Sequence, residues 1–217
     1  MLKIGLTGSF GAGKSFVAAM FAARGAQVIQ ADDVVHALYE RNKHCRDAIA
    51  KAFGTGIVGP SGVDRAGLGR IVFKDKDALA RLEAIVHPYV RRDILAAIKK
   101  AGRRMVVVDA AILCEAGWHT MVDTVIVVKA RRDIQIKRAM ARTGLSKADV
   151  LGRIRRQMPL REKMKYAAYI INNSGSPAQT EQQVERIIRS LHAGPLTGRR
   201  ILPTTPTNRS KQYDQRI

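Results

Sequence analysis

The chain has 217 residues, 46% of them hydrophobic, and its 38 basic against 18 acidic residues give a formal net charge of +20. This length and composition predict one folded, soluble domain with a substantial core. The excess of basic residues predicts a negatively charged partner, and it leaves nucleic acids, anionic membrane surfaces and small phosphorylated molecules open.

Sequence features of membrane and secreted proteins are missing. No segment approaches the ~18 uninterrupted apolar residues that a membrane-spanning helix needs. The first residues form neither a basic leader nor an apolar stretch of signal-peptide length, and the only cysteines are Cys45 and Cys114. These features exclude membrane insertion and predict a protein of the reducing cytoplasm.

Five short segments rich in valine and isoleucine predict buried parallel strands. They are residues 2–6, 27–30, 105–109, 124–128 and 169–172. Helical patterns lie between them. After the first strand, Phe16, Val17, Met20 and Phe21 are predicted to share the buried face of a helix that Gly25 ends with a left-handed cap. Strands alternating with helices predict an α/β fold with a parallel sheet and helices on both of its faces.

Two charged segments interrupt this alternation, at about residues 33–102 and 138–165. The first holds a glycine-dense loop and two helical stretches, with Pro88 predicted at a first helical position and Gly102 at a helix stop. The second carries basic residues on nearly every helical face, which fits either a solvated helix pair or a mobile arm that closes on phosphates. A last helix is predicted at about 179–191. Residues 194–217 have no periodicity and are predicted to form a disordered basic tail.

Residues 8–15, GSFGAGKS, form the sequence's most specific motif and are called the phosphate loop below. Gly8, Gly13, Lys14 and Ser15 match G-x-x-x-x-G-K-[ST], with a predicted strand before the motif and a helix after it. The glycines allow backbone amides to point inward at a phosphate, and the helix N-terminus adds positive charge. We expect Lys14 to reach the β- and γ-phosphates and the Ser15 hydroxyl to bind Mg²⁺. The motif indicates a nucleoside triphosphate but leaves the phosphoryl acceptor open.

Two carboxylates at predicted strand ends are candidates for the remaining chemistry. Asp32 follows the second strand, at the sheet edge where α/β folds bind ligands, and could accept the proton of an attacking hydroxyl. Alternatively, Asp32 or Asp33 caps a helix beginning near Val34. Asp109 ends the apolar strand MVVVD. In phosphate-loop enzymes an acidic residue at such a strand end holds Mg²⁺ through a bound water. The alternative for Asp109 is a cap on the next turn.

Six stretches, in order, resemble the dephospho-CoA kinase family over about residues 3–190. They are IGLTGSFGAGKSFVAAMFAARGAQVIQADDV, VDRAGLGRIVF, LEAIVHP, DAAILCEAG, IRRQMPLREKMKYA and IINNSG. The resemblance implies a single kinase domain, residues 1–193, with a P-loop nucleotide-kinase-like core made of residues 1–32, 103–137 and 166–193. It implies a helical CoA-binding insertion at about 33–102 and a lid at about 138–165. It also implies ATP- and Mg²⁺-dependent phosphorylation of the ribose 3′-hydroxyl of dephospho-CoA, the last step of coenzyme A biosynthesis.

The resemblance implies roles for individual residues. Asp32 matches the family's catalytic base, the second aspartate of Asp-Ala-Asp, whereas Gln30 replaces the first. Arg65 matches an arginine near the reacting phosphates, and Arg138 matches one at the start of the lid. A guanidinium group suits this role because its planar fork makes paired hydrogen bonds to phosphate oxygens, although either arginine could equally be a surface residue. With Lys14, these are the expected catalytic residues.

Further residues are assigned to ligands by the same resemblance. For His87 and Glu115, substrate contact and a structural role both stay open. Phe16 replaces the family's usual threonine and is expected to affect helix packing more than chemistry. The expected ATP-binding residues are Gly8, Gly11, Ala12, Gly13, Lys14, Ser15, Phe16, Arg142 and Asn173, the last near the adenine, although an asparagine there also suits an ordinary turn. Gln157 and Lys163 match family positions, and the lid arginines and Lys163 could face ATP or water.

Two other functions stay open at this point. The first is a related nucleoside or nucleotide kinase with another acceptor. The second is a nucleic-acid-binding ATPase, which the basic lid and tail would suit. The lid has almost no aromatic residues to stack on bases and no recognition motif is visible, so a nucleic acid is not the expected partner. ATP and dephospho-CoA are the expected partners, and no membrane is.

Overall fold

The computed structural model describes residues 1–193, so the predicted tail lies outside the described residues. The strands described in that range are β1 (Leu2–Gly8), β2 (Gln27–Gln30), β3 (Val58–Gly59), β4 (Gly62–Val63), β5 (Met105–Asp109), β6 (Thr124–Lys129) and β7 (Tyr169–Asn172). The five longer strands form one parallel sheet in the order β2-β5-β1-β6-β7, and β3 and β4 pair as a short antiparallel hairpin. The five predicted strands are confirmed, with β1 and β6 slightly longer than expected.

The register of the sheet brings the ends of three strands together. Asp109 at the end of β5 is paired with Leu6 of β1 on one side and with Gln30 of β2 on the other. The strand order places β1 in the middle of the sheet, between β5 and β6. The phosphate loop, which follows β1, therefore begins at the centre of the edge formed by the carboxyl ends of the strands. This edge is where an open parallel sheet binds its ligands.

Helices cover both faces of the sheet, as predicted. In chain order they are α1 (Lys14–Ala23), α2 (Ala31–Arg41), α3 (Lys43–Phe53), α4 (Arg65–Val72), α5 (Lys76–Lys100), α6 (Arg132–Thr143), α7 (Lys147–Arg156), α8 (Leu160–Met164) and α9 (Pro177–His192). One core packs α1 and α9 on the sheet face that carries Ile4 and Leu6. The other packs α2 to α5 on the face that carries Val106 and Val108. The alternation of these side chains along β1 and β5 therefore divides the domain into two apolar layers.

The segment between β2 and β5 differs from the sequence prediction. It contains the four helices α2 to α5, where the sequence predicted two helical stretches. Pro88 lies inside α5, so its predicted place at a helix start is wrong. The helix continues because Val86 and Val90 are buried on either side of the proline, while Pro88 and Ala84 are exposed. The carbonyl that proline leaves without a donor, that of Ala84, can therefore be hydrated.

Helix α1 also differs from the prediction at one position. Val17 and Phe21 are buried as expected, and Gly25 has the expected left-handed conformation with φ of 88°. Phe16 is 43% exposed, so its predicted place in the buried face is wrong. A helix that turns Val17 and Phe21 toward the sheet carries the preceding residue toward solvent. More than half of the Phe16 surface is still covered, so the expectation that it affects helix packing more than chemistry stays a prediction.

None of the helices described within residues 1–193 is long and apolar enough to cross a membrane.

Candidate active site

The phosphate loop connects the end of β1 to the start of α1. Gly8 lies against the backbone carbonyl of Val128, and Gly13 lies against the side-chain amide of Asn173, so a Cβ at either glycine would clash. Gly13 also has a φ of 89°, which favours glycine. The glycines of the motif thus let the loop pack closely against β6 and the residue following β7, and α1 begins at Lys14.

Asn173 supports the loop from beneath. Its Nδ2 donates a hydrogen bond to the carbonyl of Ala12 at 2.9 Å, and its Oδ1 accepts one from Thr180 Oγ1 at 3.0 Å. The side chain is 3% exposed. Asn173 is not among the residues that line the cleft described next, so its contacts favour positioning of the loop over the predicted contact with adenine.

A cleft of about 130 Å³ opens beside the loop. It is smaller than the 300–1,000 Å³ typical of small-molecule pockets, so its enclosed part suits the phosphate end of a nucleotide. The lining residues come from the phosphate loop, the ends of β2 and β5, and α6. They are Phe10, Gly11, Gly13, Lys14, Ser15, Gln30, Asp32, Asp109, Ala111 and Arg142. The fold therefore brings together most of the predicted ATP-binding residues, the predicted base and the predicted Mg²⁺ carboxylate.

Lys14 and Asp109 are the two charged groups most affected by burial in the cleft. Burial lowers the pKa of Lys14, while the negative charges of Asp109 and Asp32 act to raise it. Burial likewise raises the pKa of Asp109, which Lys14 acts to lower. Each group thus lies in an environment that opposes its charge. A triphosphate and a divalent cation would supply the missing opposite charges.

The carboxylate of Asp109 fits a cation ligand. Its Oδ1 is buried and has no hydrogen-bond partner, which disfavours the alternative role as a cap. Ser15 lines the same cleft and is exposed, so its hydroxyl is available to an ion. No cluster of three or more acidic, histidine or cysteine ligands occurs among residues 1–193. That pattern suits Mg²⁺, which is commonly held by one or two protein groups together with phosphate oxygens and water.

Asp32 lies in the first turn of α2, facing the cleft. The helix begins at Ala31 with Gln30 as its N-cap, and Gln30 makes no side-chain capping hydrogen bond. The alternative that Asp32 or Asp33 caps a helix starting near Val34 is therefore wrong, because the helix starts immediately after β2. Asp32 is exposed, and its carboxylate is placed where a substrate hydroxyl could reach it.

The segment predicted to be a lid, residues 138–165, contacts the phosphate loop. The Gln157 side-chain oxygen accepts a hydrogen bond from the Phe10 backbone N–H at 2.7 Å. The guanidinium carbons of Arg142 and Arg153 lie 5.6 and 5.4 Å from the centre of the Phe10 ring, within cation–π range. Sequence reasoning missed Phe10. The only available signal was an aromatic residue in a loop otherwise made of small residues and lysine.

Glu115 and Lys163 connect the segment predicted to be a lid to the loop that follows β5. Lys163 is fully buried, lies 2.7 Å from Glu115 Oε1 and also donates to the carbonyl of Ala111. The same carboxylate oxygen accepts the backbone N–H of Met158 at 3.0 Å. These contacts favour a structural role for Glu115 over substrate contact. The expectation that Lys163 could face ATP or water is wrong, because its side chain is fully buried against Glu115 and the carbonyl of Ala111.

Eight predicted site residues lie outside the cleft lining, namely Gly8, Ala12, Phe16, Arg65, His87, Glu115, Arg138 and Asn173. Arg138 donates a hydrogen bond to the carbonyl of Asn173 at 2.7 Å, so it helps to position the residue that supports the phosphate loop. Arg65 lies 3.2 Å from His36 Nδ1 and lines a separate groove. His87 packs edge-on against Trp118 with 5.4 Å between ring centres, and burial lowers its pKa, which favours packing over substrate contact. Phe16 is 43% exposed, as described above.

Comparisons with known proteins agree with this geometry. The sequence profile of a family described as dephospho-CoA kinase matches residues 2–189. A dephospho-CoA kinase of Geobacillus kaustophilus is 41% identical over 196 residues, which cover 88% of this chain and 98% of the relative.

Solved structures give the same result for the fold. A crystal structure from Thermus thermophilus superposes with a TM-score of 0.75 and 36% identity, covering 91% of this chain and 98% of that one. A dephospho-CoA kinase from Campylobacter jejuni gives 0.63 and 28%, covering 87% and 96%. Because the family profile matches residues 2–189 and a relative covered over 98% of its length is 41% identical, the chain belongs to the dephospho-CoA kinase family.

Proposed function

We propose that this protein transfers the γ-phosphoryl group of ATP to the ribose 3′-hydroxyl of dephospho-CoA, which gives coenzyme A. The observation that carries the proposal is the pairing, in one cleft, of the phosphate-loop Lys14 with the exposed carboxylate of Asp32. A phosphoryl donor and a hydroxyl acceptor would meet between these two groups. Family membership supplies the identity of the acceptor.

The phosphate loop would hold the donor. Its backbone amides and the N-terminus of α1 supply hydrogen bonds and positive potential to the phosphates, and Lys14 adds a full charge. Ser15 would bind Mg²⁺ directly and Asp109 through a bound water. When bound, the ion neutralises charge on the β- and γ-phosphate oxygens.

Asp32 would act as the general base. The 3′-oxygen forms a bond to the γ-phosphorus, the bond between that phosphorus and the β–γ bridging oxygen breaks, and the hydroxyl proton passes to the carboxylate. The products are coenzyme A and ADP. A carboxylate that lies in a first helical turn and makes no capping bond keeps both oxygens available for this proton.

The lid would supply charge and exclude water. Arg142 lines the cleft from α6, and Gln157 connects α7 to the loop amide of Phe10. Closure of these elements matters because water competes with the ribose hydroxyl as an acceptor. Arg138 would contribute through its hydrogen bond to Asn173, which holds the phosphate loop.

We place the acceptor against residues 33–102. We also propose a cytoplasmic location, which is consistent with the burial of both free cysteines, Cys45 and Cys114.

The acceptor is tested by comparing turnover with dephospho-CoA, nucleosides and nucleoside monophosphates under the same concentration of Mg-ATP. The proposal predicts the highest kcat/KM for dephospho-CoA. Preference for a nucleoside or a monophosphate would instead identify the related kinase considered above. ATP hydrolysis that DNA or RNA stimulates, together with salt-sensitive binding of that nucleic acid, would identify a nucleic-acid-dependent ATPase.

A further inference from the structure

Phe10 connects the phosphate loop to two helices, α6 and α7. Its backbone N–H donates a hydrogen bond of 2.7 Å to Gln157 Oε1, immediately after α7. The centre of its ring lies 5.6 Å from the guanidinium carbon of Arg142 on α6 and 5.4 Å from that of Arg153 on α7. Phe10 also lines the cleft. The residue that contacts both helices therefore lies at the expected phosphate site.

The Phe10 ring is the electrostatic partner of both arginines. Arg142 and Arg153 are exposed, and neither forms an ion pair with a carboxylate within residues 1–193. The face of an aromatic ring carries partial negative charge, and a guanidinium group within about 6 Å of its centre is attracted to it. Two guanidinium groups beside one ring repel each other, so the ring is what holds them both at this place.

Arg142 needs such a partner because the cleft that it lines already holds a cation. Arg142 and Lys14 are both lining residues. Burial is the main cause that lowers the pKa of Lys14, and the positive charge of Arg142 lowers it further. The two cations therefore repel each other when no triphosphate is bound. The contact with Phe10 offsets this repulsion.

The backbone of α6 is held against the loop independently of Phe10. A Cβ at Gly11, whose φ is 81°, would lie 2.6 Å from the carbonyl oxygen of Gln135 and 3.1 Å from the Cβ of Ala139. Gly11 thus allows the loop to pack directly on α6, where Gln135 and Ala139 are buried. What the Phe10 ring adds is the direction of the Arg142 side chain and the position of α7.

We propose that Phe10 is a positioning residue: its ring directs Arg142 into the cleft and holds α7 on the phosphate loop before nucleotide binds. This inference rests on the proposed function, in which Arg142 supplies charge to the triphosphate. A protein whose arginine is already in place binds ATP more tightly than one whose arginine must first be ordered, because a larger fraction of its molecules is competent to bind. The ring therefore acts on ATP affinity through Arg142.

A double-mutant cycle tests whether Phe10 acts through Arg142. Calorimetric titration with Mg-ATP, without an acceptor, gives Kd for wild type, Phe10→Leu, Arg142→Gln and the double variant. One exposed cation–π contact corresponds to a factor of about 2–5. The increase in Kd caused by Phe10→Leu should therefore be about 2–5-fold larger in the wild type than in the Arg142→Gln protein.

Two controls accompany the cycle. Arg155 is an exposed arginine of α7 and is not among the cation–π partners of Phe10 within residues 1–193, so Phe10→Leu should keep its full effect in an Arg155→Gln protein. Phe10→Tyr keeps an aromatic face and should bind Mg-ATP within about twofold of the wild type. A loss of affinity in Phe10→Tyr as large as that in Phe10→Leu would overturn the inference.

Hydrogen exchange of the nucleotide-free protein tests whether the ring holds α7. Phe10→Leu and Arg153→Gln should each speed amide exchange in α7 by at least about twofold, since both remove the contact between the ring and Arg153. Arg155→Gln should leave exchange in α7 unchanged, and the amides of α9 serve as the internal reference. This measurement needs neither nucleotide nor turnover.

The possible outcomes separate this inference from the proposed function. An equal effect of Phe10→Leu on Kd in the wild-type, Arg142→Gln and Arg155→Gln proteins would overturn the inference, because the ring would then act on the nucleotide directly. Unchanged Kd, or unchanged exchange in α7, would also overturn it, and phosphorylation of dephospho-CoA by the wild type would leave the proposed function standing. If the predicted coupling appears but the wild type phosphorylates no dephospho-CoA, the positioning role stands and the proposed function fails. Melting temperatures check that each variant is folded.

Discussion

Replacement of Asn173 by leucine tests whether this residue holds the phosphate loop or contacts the nucleotide. The change keeps a side chain of similar volume but removes the donor to Ala12 and the acceptor for Thr180. Thr180 has a second acceptor within reach, the carbonyl of Ser176 at 3.4 Å. The main loss is therefore the buried bond to the loop.

The expected cost follows from the burial of that bond. Asn173 is 3% exposed, so solvent cannot replace the lost donor well. A buried acceptor that loses its partner costs about 1–3 kcal/mol. For a domain of this size, each kcal/mol lowers Tm by about 2–4 °C, so a decrease of roughly 2–12 °C is expected. The loosened loop should also bind ATP less tightly.

The assay is thermal unfolding without nucleotide, followed by an ATP titration. Thr180→Val serves as the control, because it also leaves one buried acceptor, Asn173 Oδ1, without its donor, at a similar cost of about 1–3 kcal/mol, but it keeps the bond between Asn173 and Ala12. Its affinity for ATP should therefore stay close to that of the wild type. A leucine variant with the wild-type Tm but a higher KM for ATP would refute the reasoning. It would show that Asn173 contacts bound nucleotide and contributes little to holding the loop.

Three other substitutions test the cleft and the lid. Asp32→Asn should lower kcat at least about a hundredfold with ATP affinity nearly unchanged, and near-normal turnover would remove Asp32 as the base. Burial raises the pKa of Asp109 above its ordinary 3.8, so the folded chain binds the proton of this carboxyl more tightly than the unfolded chain. The folded state therefore loses stability as pH rises from the pKa of the unfolded chain to the higher pKa of the folded chain. Asp109→Asn should therefore raise the Tm of the nucleotide-free protein at pH 7, yet lower Mg²⁺-dependent turnover about 10–100-fold; a lower Tm would contradict the burial argument. Lys163→Met should cost about 2–4 kcal/mol in urea unfolding because it leaves Glu115 unpaired, and adding Glu115→Gln should recover part of that loss.

The sequence was sufficient to predict the sheet and the phosphate loop because both depend on local patterns. Continuous apolar runs identify strands that are buried on both faces, and the spacing of Gly8, Gly13, Lys14 and Ser15 reflects the backbone conformation of one loop. The carboxyl-edge position of Asp32 and Asp109 also followed, since it requires only that parallel strands end together. These predictions needed no knowledge of contacts between distant segments.

The remaining parts of the site depend on such distant contacts. Gln157 pairs with Phe10 across 147 positions of sequence, and no local pattern identifies that partner. Lys163 looked like one more exposed lid cation, yet tertiary packing buries it against Glu115. Pro88 looked like a helix start because the proline signal is local, whereas the burial of residues on both sides of it is not. The contact between Arg65 and His36 likewise joins two helices, and no local pattern identifies it.

Mass spectrometry of dephospho-CoA after incubation with the purified protein and Mg-ATP tests the central claim most directly. The proposed function predicts one added phosphate, on the ribose 3′-oxygen, with one ADP formed for each coenzyme A. The Asp32→Asn protein should give little product in the same time. Unmodified dephospho-CoA, recovered alongside intact ATP or ATP consumed only by water, would contradict the proposed function.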